Sequence, residues 1–172
     1  MIRTTLVILA TLAPLAASAA SIEDPVRSVM DIAVARSQPD SPGTDYFEKA
    51  YLDADYSKAF RQVYRTAAQY PAYDGGTSPF DYDPITNSQD GCPIKDLKIA
   101  KGAEKKGVTI VNVSFRLWDC AESAEEKARL SKLRFDVISE DGKPVINDIH
   151  RSSEGKWNSL VREMKETIKA QQ

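Results

Sequence analysis

Residues 108–118 read VTIVNVSFRLW. Val111, Val113, Phe115 and Leu117 alternate with Asn112, Ser114 and Arg116, the period of a β-strand with one buried and one wet face. On its N-terminal side Leu97 and Ile99 alternate with charge, and GAEKKG at 102–107 separates the two runs. The pattern predicts an antiparallel hairpin with Gly102 and Gly107 as turn residues.

A second hairpin follows. Leu133, Phe135 and Val137 alternate with Arg134 and Asp136, EDGKP turns the chain at 140–144, and VINDI returns it. Between the hairpins, AESAEEKAR at 121–129 is polar and helix-prone, a connection of one or two helical turns. A sheet of about four strands is therefore expected in the second half of the chain.

The first half has the other period. Asp24-Pro25 opens a helix carrying Val26, Val29, Met30, Ala33 and Val34 at helical spacing, and SQPDSPG at 37–43 ends it. A second helical stretch begins near Thr44 with Phe47, Ala50 and Tyr51 on one face, and a third carries Phe60, Val63, Tyr64 and Ala67. Beyond the sheet, Trp157, Leu160, Val161, Met164 and Ile168 share a stripe that predicts a C-terminal amphipathic helix capped by Ser152 or Ser153. The expected fold class is α+β: N-terminal helices on a curved antiparallel sheet, closed by that last helix.

Residues 1–20, MIRTTLVILATLAPLAASAA, have Arg3 in a basic start, an apolar run from Leu6 to Leu15, and an Ala17-Ser18-Ala19 cleavage pattern. They read as a secretory signal peptide, because the run is about half the ~20 residues that cross a bilayer. Residues 21–172 then form one domain of roughly 150 residues, periplasmic or secreted, with no membrane span after cleavage. Losing Arg3 takes the formal charge from -2 to -3. Lys and Arg are scattered among Asp and Glu, so no basic stripe offers itself to nucleic acid.

Cys92 and Cys120 are the two cysteines of a chain bound for an oxidising compartment. A hairpin turning at 102–107 places them opposite one another at its open end to within a few residues, a separation that suits a disulfide. Two Cys and one His do not complete a closed four-ligand cage, and the spacing is not that of a redox C-x-x-C pair.

Residues 69–93 lose both periods and turn to loop chemistry. Within them FDYDPITNSQD at 80–90 concentrates Asp81, Asp83, Asn87 and Asp90, oxygen donors of the kind calcium takes. Ile85 and Thr86 occupy the places where an EF-hand wants a ligand and a glycine, so that template fails. Asp83-Pro84, Asn87-Ser88 and Asp90-Gly91 suit a tightly specified turn, in which Asp and Asn bond nearby backbone amides. Tyr82, beside Phe80 and Tyr73, offers a rigid aromatic anchor for a partner, with Asp83, Asn87 and Asp90 as polar contacts. A structural turn, a binding loop and a loose calcium site all stand as readings of this stretch.

His150 is the sole histidine, and alternation along VINDIH puts Asp148 on its side of the strand. The pair is the one candidate for general acid-base work. Neither a nucleophile elbow nor a phosphate-cradling glycine loop occurs. Arg116 and Trp118 share the strand face opposite Phe115 and Leu117, where they either line a concavity or, in Trp118's case, pack on the terminal helix with Arg116 solvated or ion-paired.

YFEKAYL at 46–52, FDYDPITNSQD at 80–90, VNVSFRL at 111–117 and VINDIHR at 145–151 together resemble a bacterial family catalogued as domain of unknown function 3828. That family is similar in layout to the nuclear-transport-factor-2-like (SnoaL-like, cystatin-like) cone. The resemblance covers residues 44–150 and implies a curved sheet wrapped on helices with a pocket between them. It implies no activity, since relatives of that cone include both enzymes and binding or immunity modules. The cysteine pair and the final helix depart from the compact cone.

The expected function is a non-catalytic binding or protein-interaction module, of the immunity type in one form, needing no cofactor. It takes a protein partner or a small ligand in its pocket. The alternative is a small hydrolase or isomerase using His150 and Asp148 in that pocket. Rings of Tyr, Phe and Trp in the pocket favour the first, and the His–Asp pair inside it favours the second.

Overall fold

The computed structural model describes residues 20–41, 43–153 and 155–172. The leader expected over residues 1–20 falls almost wholly outside them. Three helices, α1 (Asp24–Arg36), α2 (Lys49–Asp55) and α3 (Lys58–Ala67), precede strands β1 (Lys95–Lys105) and β2 (Val108–Arg116). A short α4 (Ala124–Ala128) leads to β3 (Leu130–Glu140), β4 (Lys143–Ser153) and β5 (Lys156–Ser159), and α5 (Leu160–Ala170) closes the fold. The sheet is antiparallel throughout, in the order β1-β2-β3-β4-β5.

The sheet has five strands where about four were expected. The added strand corrects the reading of the C-terminal segment: Trp157 sits in β5 opposite Ser152 and is not on a helix. Ser159, not Ser152 or Ser153, caps α5 by accepting from Arg162 N at 3.0 Å. The helical stripe of Leu160, Met164, Val161 and Ile168 survives, with Leu160 and Met164 buried.

Two tight turns set the register. Lys106-Gly107 and Asp141-Gly142 are two-residue loops in which both residues have positive φ, near +52° and +77°. This geometry matches the right-handed twist of the flanking strands. The first turn is therefore shorter than the expected 102–107. Gly102 is not a turn residue but lies within β1 at an irregularity between Lys101 and Glu104. A Cβ at Gly102 would come within 2.5 Å of Asn112 Nδ2 and 3.0 Å of Ile110 O, so only glycine lets the strands close there.

Val111, Val113 and Phe115 of β2, Leu133, Phe135 and Val137 of β3, and Ile146 and Ile149 of β4 form the buried face. On β4 the period of two breaks: Asp148 pairs with Asp136 but Ile146 with Val137, which leaves Asn147 as a bulged residue. The bulge allows Ile146 and Ile149, three residues apart, to face the core together. It also presents Asn147 Oδ1 to Ser57 Oγ at 2.9 Å, while Ser57 N donates to Ile146 O at 2.9 Å and Ser57 Oγ caps α3 at Phe60 N. The start of α3 is thus bound to the centre of the sheet.

α1, α2, α3 and α5 all pack against β4, and α3 also packs on α5. The buried stripe of α1 is Val26, Val29, Met30, Ile32 and Ala33, and that of α3 is Phe60, Tyr64 and Ala67. α2 starts five residues later than the expected Thr44, so Phe47 lies in the turn ahead of it. Phe47 is only 6% exposed and meets Tyr46, Tyr56, Phe60, Tyr64 and Phe80 at centroid distances of 4.4–6.2 Å. Outer strand β1 is mostly exposed and carries Lys95, Lys98, Lys101 and Lys105, charges that discourage edge-to-edge pairing with another sheet.

Cys92 and Cys120 form a disulfide, Cα to Cα 5.7 Å. Ile99 faces Val113 in the first hairpin and, past an irregularity between Lys95 and Lys98, Lys95 faces Arg116, so the two cysteines lie just beyond the hairpin's open end. Cys92 N donates to Leu117 O at 2.8 Å, which continues the ladder past the end of β2. Among the described residues no helix is long and apolar enough to cross a membrane.

Candidate functional site

The loop of residues 69–93 folds against the C-terminal end of α1 and the turn at 45–47, and these segments enclose an open cleft of about 700 Å³. Asp83 organises it. Its Oδ1 accepts from Ile85 N and Thr86 N, both at 2.9 Å, which is the local Asx bonding expected of Asp-Pro. Its Oδ2 accepts from Tyr46 Oη at 2.7 Å and from Arg36 Nε at 3.2 Å. Arg36 also donates to Thr44 O at 3.0 Å and stands over the Tyr46 ring, 5.1 Å from its centroid. Burial, reinforced by the Asp83 carboxylate, holds the Tyr46 hydroxyl far above the ordinary tyrosine range, so it remains a donor.

The rings of Tyr46, Phe47 and Phe80 are buried beneath this cleft, and Tyr73 stands at its edge, 60% exposed. Gly76 packs under Tyr73, since a Cβ there would meet its ring at 2.8 Å. One guanidinium, Arg36, shares the lining with Asp45, Asp81, Asp83 and Asp90. Asp83 neutralises Arg36, and Asp45 accepts from Phe47 N at 2.7 Å. Among the described residues the exposed carboxylates of Asp81 and Asp90 have neither a hydrogen-bond nor an ion-pair partner. The unpaired charge of the cleft is therefore negative.

Of the calcium candidates Asp81, Asp83, Asn87 and Asp90, Asp83 is already committed to other partners. Asp83 is saturated by four donors, one of them a guanidinium that opposes a cation. Asn87 takes part in the turn through its backbone: it adopts φ +56°, and its N donates to Asp83 O at 2.8 Å. The structural-turn reading accounts for Asp83 and Asn87, while Asp81 and Asp90 remain available to a partner.

Tyr82 is placed otherwise than a free anchor would be. Its hydroxyl meets Arg151 and Glu163 in short contacts, and the Arg151 guanidinium lies 5.1 Å from its ring centroid. Arg151, 4% exposed, also pairs with Glu163 of α5. The triad thus ties loop, β4 and α5 together, and burial followed by the Glu163 contact raises the Tyr82 hydroxyl above its ordinary range. Arg151→Met is expected to cost about 2–3 kcal/mol, below the usual 3–5 for breaking a buried pair because the Glu163 side chain is 33% exposed. Converting Glu163 to Leu in the same chain should restore at least half of that loss in urea unfolding.

Arg116 and Trp118 do not reach the cleft, whose wall takes Leu117 from between them. Arg116 is ion-paired with Asp96 at 2.5 Å and Asp119 at 3.4 Å. Trp118 is partly buried against the core, with Arg129 over its ring at 5.3 Å.

His150 and Asp148 do lie together, with Nε2 3.6 Å from Asp148 Oδ2. A third group, Asp136 of β3, is nearer: its Oδ2 lies 3.0 Å from the same nitrogen. The hydrogen bond to Asp136, aided by Asp148 and opposed by burial, raises His150 above its ordinary 6.5. The cluster stands on the sheet face opposite the buried side chains, because Asp136↔Asp148 and Arg134↔His150 alternate with the buried pair Phe135↔Ile149, and the start of α5 reaches it through Ser159 and Val161. It does not line the cleft.

Sequence reasoning missed Arg36, Tyr46 and Asp45, which look like ordinary helix-end and turn residues until residues 80–90 fold onto them. Asp136 had a signal. Its outward place in the LRFDV alternation, carried across a two-residue turn at Asp141-Gly142, leads only to Asn147, and the bulge there is what brings Asp148 opposite it. No protein-family model, curated protein or solved structure matches this chain.

Proposed function

We propose that this protein is an exported, non-catalytic binding module of the nuclear-transport-factor-2-like layout, whose loop-lined cleft takes a cationic segment of a protein partner. The observation that carries the reading is the cleft itself: exposed Tyr73 shares its lining with Asp81 and Asp90, whose carboxylates are unpaired among the described residues. Rings with negative faces next to free carboxylates favour a Lys or Arg side chain, which gains cation–π and ion-pair contact together. Helices on one face of an antiparallel sheet accord with that layout, and the disulfide accords with an oxidising compartment. Occlusion of another protein, as immunity modules do, is the form this binding would take.

Binding is favoured over catalysis by position. His150 and Asp148 open onto the other side of the sheet, so a substrate held in the cleft has no general acid or base of this pair within reach.

The test is a pull-down from periplasmic extract with the wild-type chain and with an Asp81→Asn/Asp90→Asn/Tyr73→Ala variant, followed by affinity measurement on what is retained. A basic partner should bind the wild type, weaken with added salt, and bind the variant at least tenfold less tightly. A partner held equally by both proteins, or none enriched on the wild type, defeats the reading.

A further inference from the structure

We propose that Asp136, Asp148 and His150 form a binding site for a first-row transition metal, Zn²⁺ or Mn²⁺, on the sheet face opposite the hydrophobic core, beside the start of α5. One ligand atom from each of the three lies within 4.8 Å of the others. Nε2 of His150 is 3.0 Å from Asp136 Oδ2 and 3.6 Å from Asp148 Oδ2. Ligands about 2.1 Å from one metal stand about 3.0 Å apart at a right angle and about 3.4 Å apart at the tetrahedral angle. The two measured spacings bracket that range. The ion would take the place of the hydrogen that the imidazole shares with the carboxylates.

The surroundings prepare Asp148 for this role. Its Oδ1 accepts from Ile149 N at 2.7 Å and from Val161 N at 3.1 Å, and its Oδ2 accepts from Ser159 Oγ at 2.6 Å. Those bonds orient a ligating carboxylate from outside the metal's coordination sphere. Among the described residues Asp136 has His150 as its one side-chain partner, so it can turn to meet an ion. Side-chain exposures of 15–28% leave an entry path and room for water to complete the coordination.

Arg134 is the cation opposite His150, and its charge opposes a metal. Its guanidinium, however, stacks on Trp157 at 3.9 Å from the ring centroid and pairs with neither carboxylate. Two carboxylates therefore face one imidazole without a guanidinium between them. The imidazole nitrogen selects a transition metal over calcium or magnesium, which prefer shells of oxygen alone.

The test uses the full mature chain without a histidine tag, titrated calorimetrically with Zn²⁺ and with Mn²⁺ alone. One equivalent should bind to the wild type, and excess metal at a hundredfold over Kd should raise the melting temperature by about 5–10 °C. His150→Gln and Asp136→Asn should each lose more than about 100-fold in affinity, and Ser159→Ala about 10–100-fold. Asp136→Asn replaces a partly exposed carboxylate that has one side-chain partner by an amide of the same shape and keeps the fold, so it decides the matter should His150→Gln misfold. Absence of binding to the wild type at about millimolar metal, or wild-type affinity in Asp136→Asn, overturns the site.

Discussion

Phe47→Ala is expected to destabilise the domain by about 3–5 kcal/mol, a large share of the roughly 5–15 kcal/mol such a domain has to lose. Phe47 is held in a turn, not in an element, yet it meets five other rings and is 6% exposed. Its ring is the contact through which α3, the Tyr46 turn and Phe80 of the long loop share one core. Truncation leaves a void bounded by side chains from three segments, whose backbones are bound elsewhere and cannot collapse together. Equilibrium urea unfolding is the measurement. The midpoint should fall by roughly 2 M with the slope unchanged. A loss below about 1 kcal/mol would mean the ring cluster is not a load on the fold. Tyr73→Ala, at a site 60% exposed, should stay within about 0.5 kcal/mol.

The second large effect concerns Cys92–Cys120. The bond spans a sequence separation of 28, and restricting that loop in the unfolded chain is worth roughly 3.5 kcal/mol by the chain-entropy model. The Cys92→Ser/Cys120→Ser variant should therefore melt about 7–14 °C below the oxidised wild type. The ladder bond from Cys92 N to Leu117 O persists without the sulfurs, so the hairpin end should remain native in the variant below its transition. Alkylation without reductant should label neither cysteine of the wild type, and labelling of both, or an unchanged melting temperature in the variant, would overturn this account.

Periodicity carried much of the fold. The stripes of α1 and α3 and the alternation in β2 and β3 follow from spacing alone, because each records which side of one element is apolar. The C-terminal segment shows where that signal stops. Trp157 fits a helical stripe as well as a strand, and the β4 ladder decides between them by pairing Arg151 with Asn158 and Ser152 with Trp157. Ser159 then becomes the cap. Likewise Gly102 and Gly107 look equivalent in GAEKKG, but only Gly107 has a positive φ, while Gly102 yields space to Ile110 and Asn112.

The functional surfaces divide in the same way. The turn chemistry of Asp83 and Asn87 was legible in residues 80–90, as was the nearness of Asp148 to His150. That Tyr82 is locked to Arg151 and Glu163, that Arg36 and Tyr46 meet Asp83, and that Asp136 completes the His150 cluster were not. Local sequence determined the α+β class, the stripes of α1 and α3 and the alternation of β2 and β3, since these depend on neighbours a few residues away, while the cysteine pairing followed from the hairpin those strands imply. Only the tertiary structure decided which faces meet. Two positive-φ turns and the bulge at Asn147 set the registers, and a shift of one residue in any of them would move every side chain of a strand to the opposite face.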